Sequence, residues 1–225
     1  MAQVEDYANL VALRKSCRCC VGLTNPADVQ DGHFDSDEIG PWSRWQGNLA
    51  VRLMVVGQDW GDTNYFVRHS GVEGPNNPTN LALANLLASI AGPIGPPGAA
   101  IGQDIVFFTN AILCLKEGGL QAPVQDIWFR NCAFYLQKQI EIVQPPVVVG
   151  LGARPFRSVL RSFGLPVPRG SHRKVVEDPE GTLLPNGSRL FAVYHCGARI
   201  LNSLRGMDAQ LNDWARIRRY LASVG

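Results

Sequence analysis

The sequence lacks any hydrophobic run long enough to cross a membrane. Its longest apolar stretches, such as 145–151, are far shorter than the ~20 consecutive residues that a membrane-spanning helix requires. The first seventeen residues are mixed in character and acidic near the start, which is not the pattern of a secretory signal. We therefore expect a protein without membrane association that resides in the cytoplasm.

Charge is also scarce, since charged residues make up only 18% of the 225 while hydrophobic residues make up 46%. This balance is typical of a folded globular protein, and the length suits one domain over 1–225. Residues 1–150 hold 9 Lys and Arg against 14 Asp and Glu, whereas residues 151–225 hold 12 against 5. The basic C-terminal third suits a polyanionic partner, although an ordinary solvated surface rich in arginine gives the same count.

Hydrophobic periodicity predicts strands that alternate with helices. Apolar runs rich in β-branched residues predict buried strands at 51–57, 104–112, 145–152 and 189–197. Helical spacing and glycine stops predict helices at 5–16, 81–92, 124–143, 153–164 and 207–223. Polar, Gly- or Pro-containing stretches predict loops at 22–47, 58–78, 93–102 and 165–188. This alternation indicates a three-layer α/β/α fold around a central four-stranded parallel sheet.

Functional sites in such sheets gather outside the carboxyl ends of the strands. The polar residues that follow the predicted strands there include Asp59, Asp62, Asn110 and His195. Asp62 is the weaker candidate for chemistry, because an aspartate at this point suits a helix or loop cap. A turn or strand-end role would also explain the other three.

The six cysteines are Cys17, Cys19, Cys20, Cys114, Cys132 and Cys196. In a cytoplasmic protein, clustered cysteines favour a metal site or catalysis over disulfides. Four thiolates suit either an iron–sulfur cluster or zinc, and their chemistry alone does not choose between the two. The other interpretation is that Cys114 and Cys132 are small buried residues.

Four segments resemble the motifs of the uracil-DNA glycosylase superfamily, and the likeness runs patchily from Cys17 to about Tyr220. VVGQDWGD at 55–62 is similar to the first motif, with the Gln-Asp pair of the family 1 enzymes. FFTNAILC at 107–114 resembles a family 4 strand, and VVVGLGARP at 147–155 resembles the third strand and its turn. YHCG at 194–197 resembles the second active-site motif, His-Pro-Ser.

The resemblance implies a monofunctional DNA glycosylase of base excision repair, which hydrolyses the N-glycosidic bond of a flipped-out uracil. It implies that Asp59 orients water or stabilises positive charge on the sugar, and that His195 bonds the base oxygen as the anion forms. By the same likeness Asn110 reads the pyrimidine edge with its amide, and Gln58 contributes to base binding through its backbone amide.

An aromatic side chain is expected to stack on the flipped base, as stacking contributes strongly to the binding of unpaired bases. The superfamily supplies a Phe downstream of the first motif, which makes Phe66 the candidate here. Tyr65 and Trp60 compete for this role.

The cysteines resemble those of family 4, in which four thiolates surround a [4Fe–4S] cluster. The resemblance assigns Cys17, Cys20, Cys114 and Cys132 as its ligands, with zinc as the alternative metal. Cys19 and Cys20 are adjacent, and the sequence leaves open which of the two is the ligand. The cluster would tie the N-terminal helix and loop of 1–47 to the sheet, with no redox role required.

Two departures from the family motifs bear on the substrate. Gly61 replaces the Tyr that excludes the thymine methyl group in family 1, although family 4 also has Gly there. Cys196 and Gly197 replace the Pro and Ser of the second motif. These changes leave two alternatives open: a glycosylase for a modified pyrimidine or deaminated purine, for instance in phage defence, and a catalytically silent nucleic-acid-binding module.

The expected partner is DNA, bound by a monomer. Four basic residues near the second motif are candidates for phosphate contacts, which would make binding sensitive to salt. They are Arg169, Arg173, Lys174 and Arg199.

Overall fold

The computed structural model describes residues 2–40, 48–74, 76–92, 94, 106–119 and 121–224. In chain order its strands are β1 (Leu23–Thr24), β2 (Leu53–Gly57), β3 (Val106–Asn110), β4 (Leu115–Lys116), β5 (Val147–Leu151), β6 (Thr182–Leu183) and β7 (Arg189–Val193). Its α-helices are α1 (Ala2–Ser16), α2 (Thr63–Arg68), α3 (Pro78–Ala91), α4 (Asp126–Val143), α5 (Ala153–Ser162), α6 (His172–Glu177), α7 (Ala198–Ser203) and α8 (Met207–Ser223). A kinked 3₁₀ segment spans Pro26–Gly32.

The central sheet has five strands in the order β3-β2-β5-β7-β6. Four of them are parallel and correspond to the four predicted strands, whereas β6 pairs antiparallel with β7 at the edge. The prediction of four strands was therefore one too few, because a two-residue edge strand carries too little hydrophobic pattern to be seen in the sequence. A separate two-stranded sheet joins β1 to β4.

Helices cover both faces of the sheet, as expected for a three-layer α/β/α arrangement. One face packs against α1, α4 and α5, and the other packs against α3 and α8. Strands enclosed in this way are apolar on both sides, which explains why every residue of β2 and β5 is buried. No helix in the described part of the chain has the length and apolar character needed to span a membrane.

The predicted helices are all present with small shifts at their ends, but three short helices were missed. These are α2, α6 and α7, each of six residues and too short to show periodicity. Two predicted segments fall partly outside the described residues, namely the linker at 93–102 and the end of the loop at 22–47. The start of the strand predicted at 104–112 also lies outside them.

The strand order places a topological switch point between β2 and β5. The chain leaves β2 toward β3 on one side, and it returns through β5 on the other. In open α/β sheets a crevice forms at this point, outside the carboxyl ends of the strands. The fold therefore marks the ends of β2 and its neighbours as the place for a site.

Candidate active site

A cavity of about 290 Å³ opens at the carboxyl ends of β2, β3 and β5. Its wall is formed by the loop after β2, the end of β3 and the residues that follow β7. Four sequence-predicted site residues meet here: Gln58, Asp59, Asn110 and His195. Further lining residues are Gly57, Trp60, Gly61, Tyr65, Glu73, Asn77, Thr79, Asn80, Leu83, Phe108, Lys116 and Leu151.

The Asp59 carboxylate is held by donors on both of its oxygens. Its Oδ1 accepts a hydrogen bond from the backbone N–H of Gly61 at 3.0 Å and lies 3.2 Å from Nζ of Lys116. Its Oδ2 accepts from Nε2 of Gln58 at 2.8 Å. The Asp59 side chain is only 10% exposed and that of Lys116 only 5%, so the cation compensates a largely buried negative charge.

The loop after β2 takes its shape from Gly61 and Asp62. Gly61 has φ +97°, a left-handed conformation that a tyrosine at this position would adopt only with strain. Asp62 caps α2, because its Oδ1 accepts from the backbone N–H of Tyr65 at 3.0 Å. The expectation that Asp62 is a cap is confirmed, and Asp59 remains the carboxylate that faces the cavity.

Asn110 ends β3 directly beside Gly57, its partner in the register of β2 and β3. A Cβ on Gly57 would lie 2.2 Å from Oδ1 of Asn110, which is impossibly close. Glycine at position 57 thus gives the Asn110 amide its place in the wall of the cavity. This amide presents both a donor and an acceptor, as a pyrimidine edge requires.

His195 lies two residues beyond the end of β7, at the mouth of the cavity. Its Nδ1 accepts a hydrogen bond from the backbone N–H of Gly197 at 2.9 Å. Although the residue is exposed to solvent, the protein packed around the ring lowers the pKa of His195 below its ordinary 6.5, and the charge of Asp59 only partly opposes this. The ring is therefore neutral near pH 7, with its proton on Nε2.

Phe66 lies outside the described lining of the cavity, contrary to its expected stacking role. It is fully buried in a separate cluster with Val29, Trp60 and Leu115. Its ring packs edge-on against Phe34, with ring centroids 6.3 Å apart. The aromatic lining residues are instead Trp60, Tyr65 and Phe108.

A second carboxyl group, Glu73, lines the cavity without having stood out in the sequence. Its Oε2 accepts from Oη of Tyr65 at 3.1 Å and from Nδ2 of Asn77 at 3.3 Å. Burial raises the pKa of Glu73 above its ordinary value, and these hydrogen bonds oppose the rise. The cavity thus has a polar wall in addition to the four predicted residues.

Comparisons with known proteins show the family of the chain. The profile described as the uracil DNA glycosylase superfamily matches residues 45–220, which is most of the chain. The chain belongs to the uracil-DNA glycosylase superfamily. It is also 26% identical over 161 residues to the Type-5 uracil-DNA glycosylase of Pyrobaculum aerophilum. That match covers 70% of this chain and 64% of the relative, less than two thirds of its length.

Membership of the uracil-DNA glycosylase superfamily confirms the relationship that the four motifs indicated. The cysteine spacing resembled family 4, whereas the curated relative is a Type-5 enzyme. The superfamily match begins at residue 45, so it leaves out Cys17, Cys19 and Cys20.

In this superfamily member five cysteines line one small cavity of about 110 Å³ on the side of the sheet that carries α1 and α4. They are Cys17, Cys19, Cys20, Cys114 and Cys132, so the four predicted ligands are brought together with the spare Cys19. Nδ2 of Asn131 donates to Sγ of Cys20 at 3.3 Å. Within the described ranges, no group of three or more His, Cys, Asp or Glu side chains has an arrangement that could hold a metal ion.

Cys196 lies on the opposite side of the sheet from these five cysteines. It is fully buried in the core between the sheet, α3 and α8, and its Sγ contacts the carbonyl oxygen of Thr79 at 3.4 Å. Cys196 therefore fills space beneath the cavity mouth, where the second superfamily motif has Pro.

The four predicted DNA-binding residues flank the end of β7. Arg169, Arg173 and Lys174 lie on or just before α6, and Arg199 lies in the first turn of α7 directly after the YHCG segment. His172 fixes α6 beside the site, because its Nε2 lies 3.1 Å from the carbonyl oxygen of Val193. All four basic residues are exposed, and Arg173 also pairs with Glu177 at 2.7 Å.

Sequence reasoning missed Lys116 and Glu73 at this site. Lys116 belongs to a two-residue strand, and Glu73 belongs to a loop before α3. Neither falls in a superfamily motif or at the end of a predicted strand, so only the tertiary fold brings them to the cavity.

Proposed function

We propose that this protein is a monofunctional DNA glycosylase of base excision repair that hydrolyses the N-glycosidic bond of a flipped-out uracil. The observation that carries the proposal is the meeting of Asp59, Asn110 and His195 around one cavity at the strand ends. Superfamily membership supports the same reaction class. The substrate of the Pyrobaculum relative, named in its description, supports uracil as the first base to test.

The three side chains supply what the reaction needs. As the bond between C1′ and the base breaks, the sugar becomes positive and the base becomes an anion. Water then adds its hydroxyl to C1′, and the proton that water loses neutralises the base anion. Asp59 would orient that water and stabilise the positive sugar. His195 would donate a hydrogen bond from its Nε2–H to the base oxygen as negative charge develops, while the Asn110 amide reads the base edge.

We propose Phe108 as the aromatic that stacks on the base. It lies two residues before Asn110 on β3, so its side chain points to the same side of the sheet. Among the predicted candidates, Trp60 packs edge-on against Phe108 with ring centroids 5.9 Å apart. Trp60 would thus support the stacking ring, and Phe66 would serve the core.

We further propose that the cysteine cavity holds a [4Fe–4S] cluster with Cys17, Cys20, Cys114 and Cys132 as ligands. The donor set supports this, because five cysteines line one cavity and thiolates are the ligands of iron–sulfur clusters, although Cys₄ also suits zinc as the alternative metal. When bound, the cluster would cross-link the end of α1 to α4 and to the segment that follows β3. Cys19 is exposed and remains the alternative to Cys20.

The direct test is cleavage of single- and double-stranded oligonucleotides that contain one uracil, followed by alkali. We expect alkali-dependent cleavage by the wild type, a loss of about 10²- to 10⁴-fold in Asp59→Asn, and a loss of about 10²- to 10³-fold in His195→Ala. Asp208→Asn, an exposed acid at the start of α8, is the matched control and should retain full activity. A wild type that binds uracil DNA but does not cleave it would instead favour a catalytically silent nucleic-acid-binding module.

A second candidate is the same chemistry on a modified pyrimidine or a deaminated purine. The observation that favours it is the polar wall of Glu73, which offers a carboxyl group beyond the edge that Asn110 reads. Glycine at 61 also leaves out the ring that excludes a 5-substituent. The test measures the rate of base excision by the wild type and by Glu73→Gln on a panel of modified oligonucleotides. A base that Glu73→Gln excises more slowly than the wild type, while its rate on uracil is unchanged, would be the second substrate.

A further inference from the structure

Lys116 is a buried cation in the wall of the cavity that no superfamily motif includes. Its side chain is 5% exposed, and its Nζ lies 3.2 Å from Oδ1 of Asp59. The other charged and titratable residues that line the described cavity are His195, Glu73 and Tyr65, and Asp62 lies in the same loop as Asp59. In the described part of the chain, Asp59 forms its ion pair with Lys116 alone.

The backbone of Lys116 is fixed to the same loop as its side chain. Its N–H donates to the carbonyl oxygen of Gly61 at 3.1 Å, and Lys116 forms an isolated parallel β-bridge with Asp62. On its other side Lys116 pairs with Leu23 of β1. Two chain segments therefore hold the backbone of Lys116, and burial of its side chain keeps the amine inside the cavity wall beside Asp59.

The geometry of Asp59 depends on this cation. A buried carboxylate needs its lone pairs satisfied, and the loss of one partner from a buried ion pair leaves an uncompensated charge. Without Lys116, Asp59 would keep its hydrogen bonds from Gly61 and Gln58 but lose its compensating charge, so we expect the carboxylate to shift toward solvent at the mouth. A displacement of about 1 Å in such a group costs about 10²-fold in rate.

We propose that Lys116 is a positioning residue that holds the Asp59 carboxylate in its productive orientation. The inference rests on the proposed glycosylase function, because it assigns to Lys116 a role in that reaction. Lys116 acts through Asp59 and leaves base recognition to Asn110 and His195. Its removal should consequently lower kcat and leave KM for the oligonucleotide nearly unchanged.

The test is a double-mutant cycle on the uracil oligonucleotide with Lys116→Met, Asp59→Asn and the combined variant. We expect Lys116→Met to lower kcat by about 10²-fold with KM within about twofold of wild type. The combined variant should be no slower than Asp59→Asn alone, since Lys116 has nothing left to position. Lys116→Arg, which keeps the cation, should recover much of the activity, and Lys138→Met, an exposed lysine on α4, serves as control.

Folding is checked separately by thermal unfolding of each variant. The combined variant removes both charges together and so avoids an unpaired buried carboxylate, which keeps the cycle readable if Lys116→Met is unstable. Three results, each with an active wild type, would overturn the positioning role. They are a Lys116→Met variant with unchanged kcat, losses of kcat that add in the combined variant, and an effect of Lys116→Met on KM alone. An inactive wild type with active-site residues intact would instead overturn the proposed function.

Discussion

The backbone N–H of Gly197 donates to Nδ1 of His195 at 2.9 Å, and this single bond fixes the tautomer of the ring. Because Nδ1 accepts, the proton of the neutral imidazole lies on Nε2, the nitrogen left to act as donor. A Cβ on residue 197 would lie 2.9 Å from Nδ1, so glycine also permits the close approach. The change from Ser to Gly in the second motif thus has a structural reason.

The first prediction concerns the pH dependence of His195. Desolvation by the protein packed around the ring lowers its pKa below 6.5, so the ring is still mostly neutral at pH 6.5 and reaches half protonation at a lower pH. The negative charge of Asp59 opposes this shift, and Asp59→Asn should therefore lower the pKa of His195 further. The measurement is an NMR titration of the ring resonances, assigned by their loss in His195→Gln. A His195 signal that titrates at or above 6.5 would contradict the prediction.

The second prediction concerns Gly57→Ala. The new methyl group would meet Oδ1 of Asn110 at 2.2 Å, so the amide must move out of its place in the cavity wall. We expect kcat/KM on the uracil oligonucleotide to fall by about 10²-fold. Gly206→Ala is the control, because the nearest atom to its Cβ lies 3.8 Å away. Equal activity of the two variants would show that the Asn110 position does not matter.

The third prediction separates the two adjacent cysteines. Cys20→Ser should remove iron and the visible absorbance of the anaerobically purified protein, as should Cys114→Ser and Cys132→Ser, whereas Cys19→Ser should retain both. The reason is that Cys19 is exposed while the other three side chains are wholly or partly buried around the cavity. Iron and sulfide analysis gives the measurement. If Cys19→Ser loses the cluster and Cys20→Ser retains it, Cys19 is the ligand in place of Cys20. A colourless wild type with stoichiometric zinc would reject the cluster.

The fourth prediction concerns salt-dependent DNA binding. Combined replacement of Arg169, Lys174 and Arg199 by Gln should flatten the dependence of log K on log [salt] by ~0.9 for each lost contact to duplex phosphate. Arg173 is left intact because its pairing with Glu177 already occupies its guanidinium. A charge-matched control replaces Lys138, Arg218 and Arg219, exposed residues of α4 and α8. Identical slopes for both triple variants would argue against a phosphate-binding role near β7.

Local pattern was enough to predict the main elements of the fold. The four parallel strands are buried on both faces, so their apolar runs are continuous and ended by glycine or polar residues. The long helices have regular periodicity for a similar reason, since each packs one face on the sheet. In contrast, β6, α2, α6 and α7 are too short for any periodic signal, and their positions depend on packing against longer elements.

The sequence by itself determined the residues that end the central strands, and with them the meeting of Asp59, Asn110 and His195. Parallel strands place their carboxyl ends at one edge, so chain order alone implied their proximity. Only the tertiary structure decided which aromatic residues line the cavity, because packing against Val29, Trp60 and Leu115 places Phe66 in the core. It also decided that Lys116 and Glu73 face the site. Neither is marked by a motif, and contacts between segments distant in the chain bring Lys116 to Asp59.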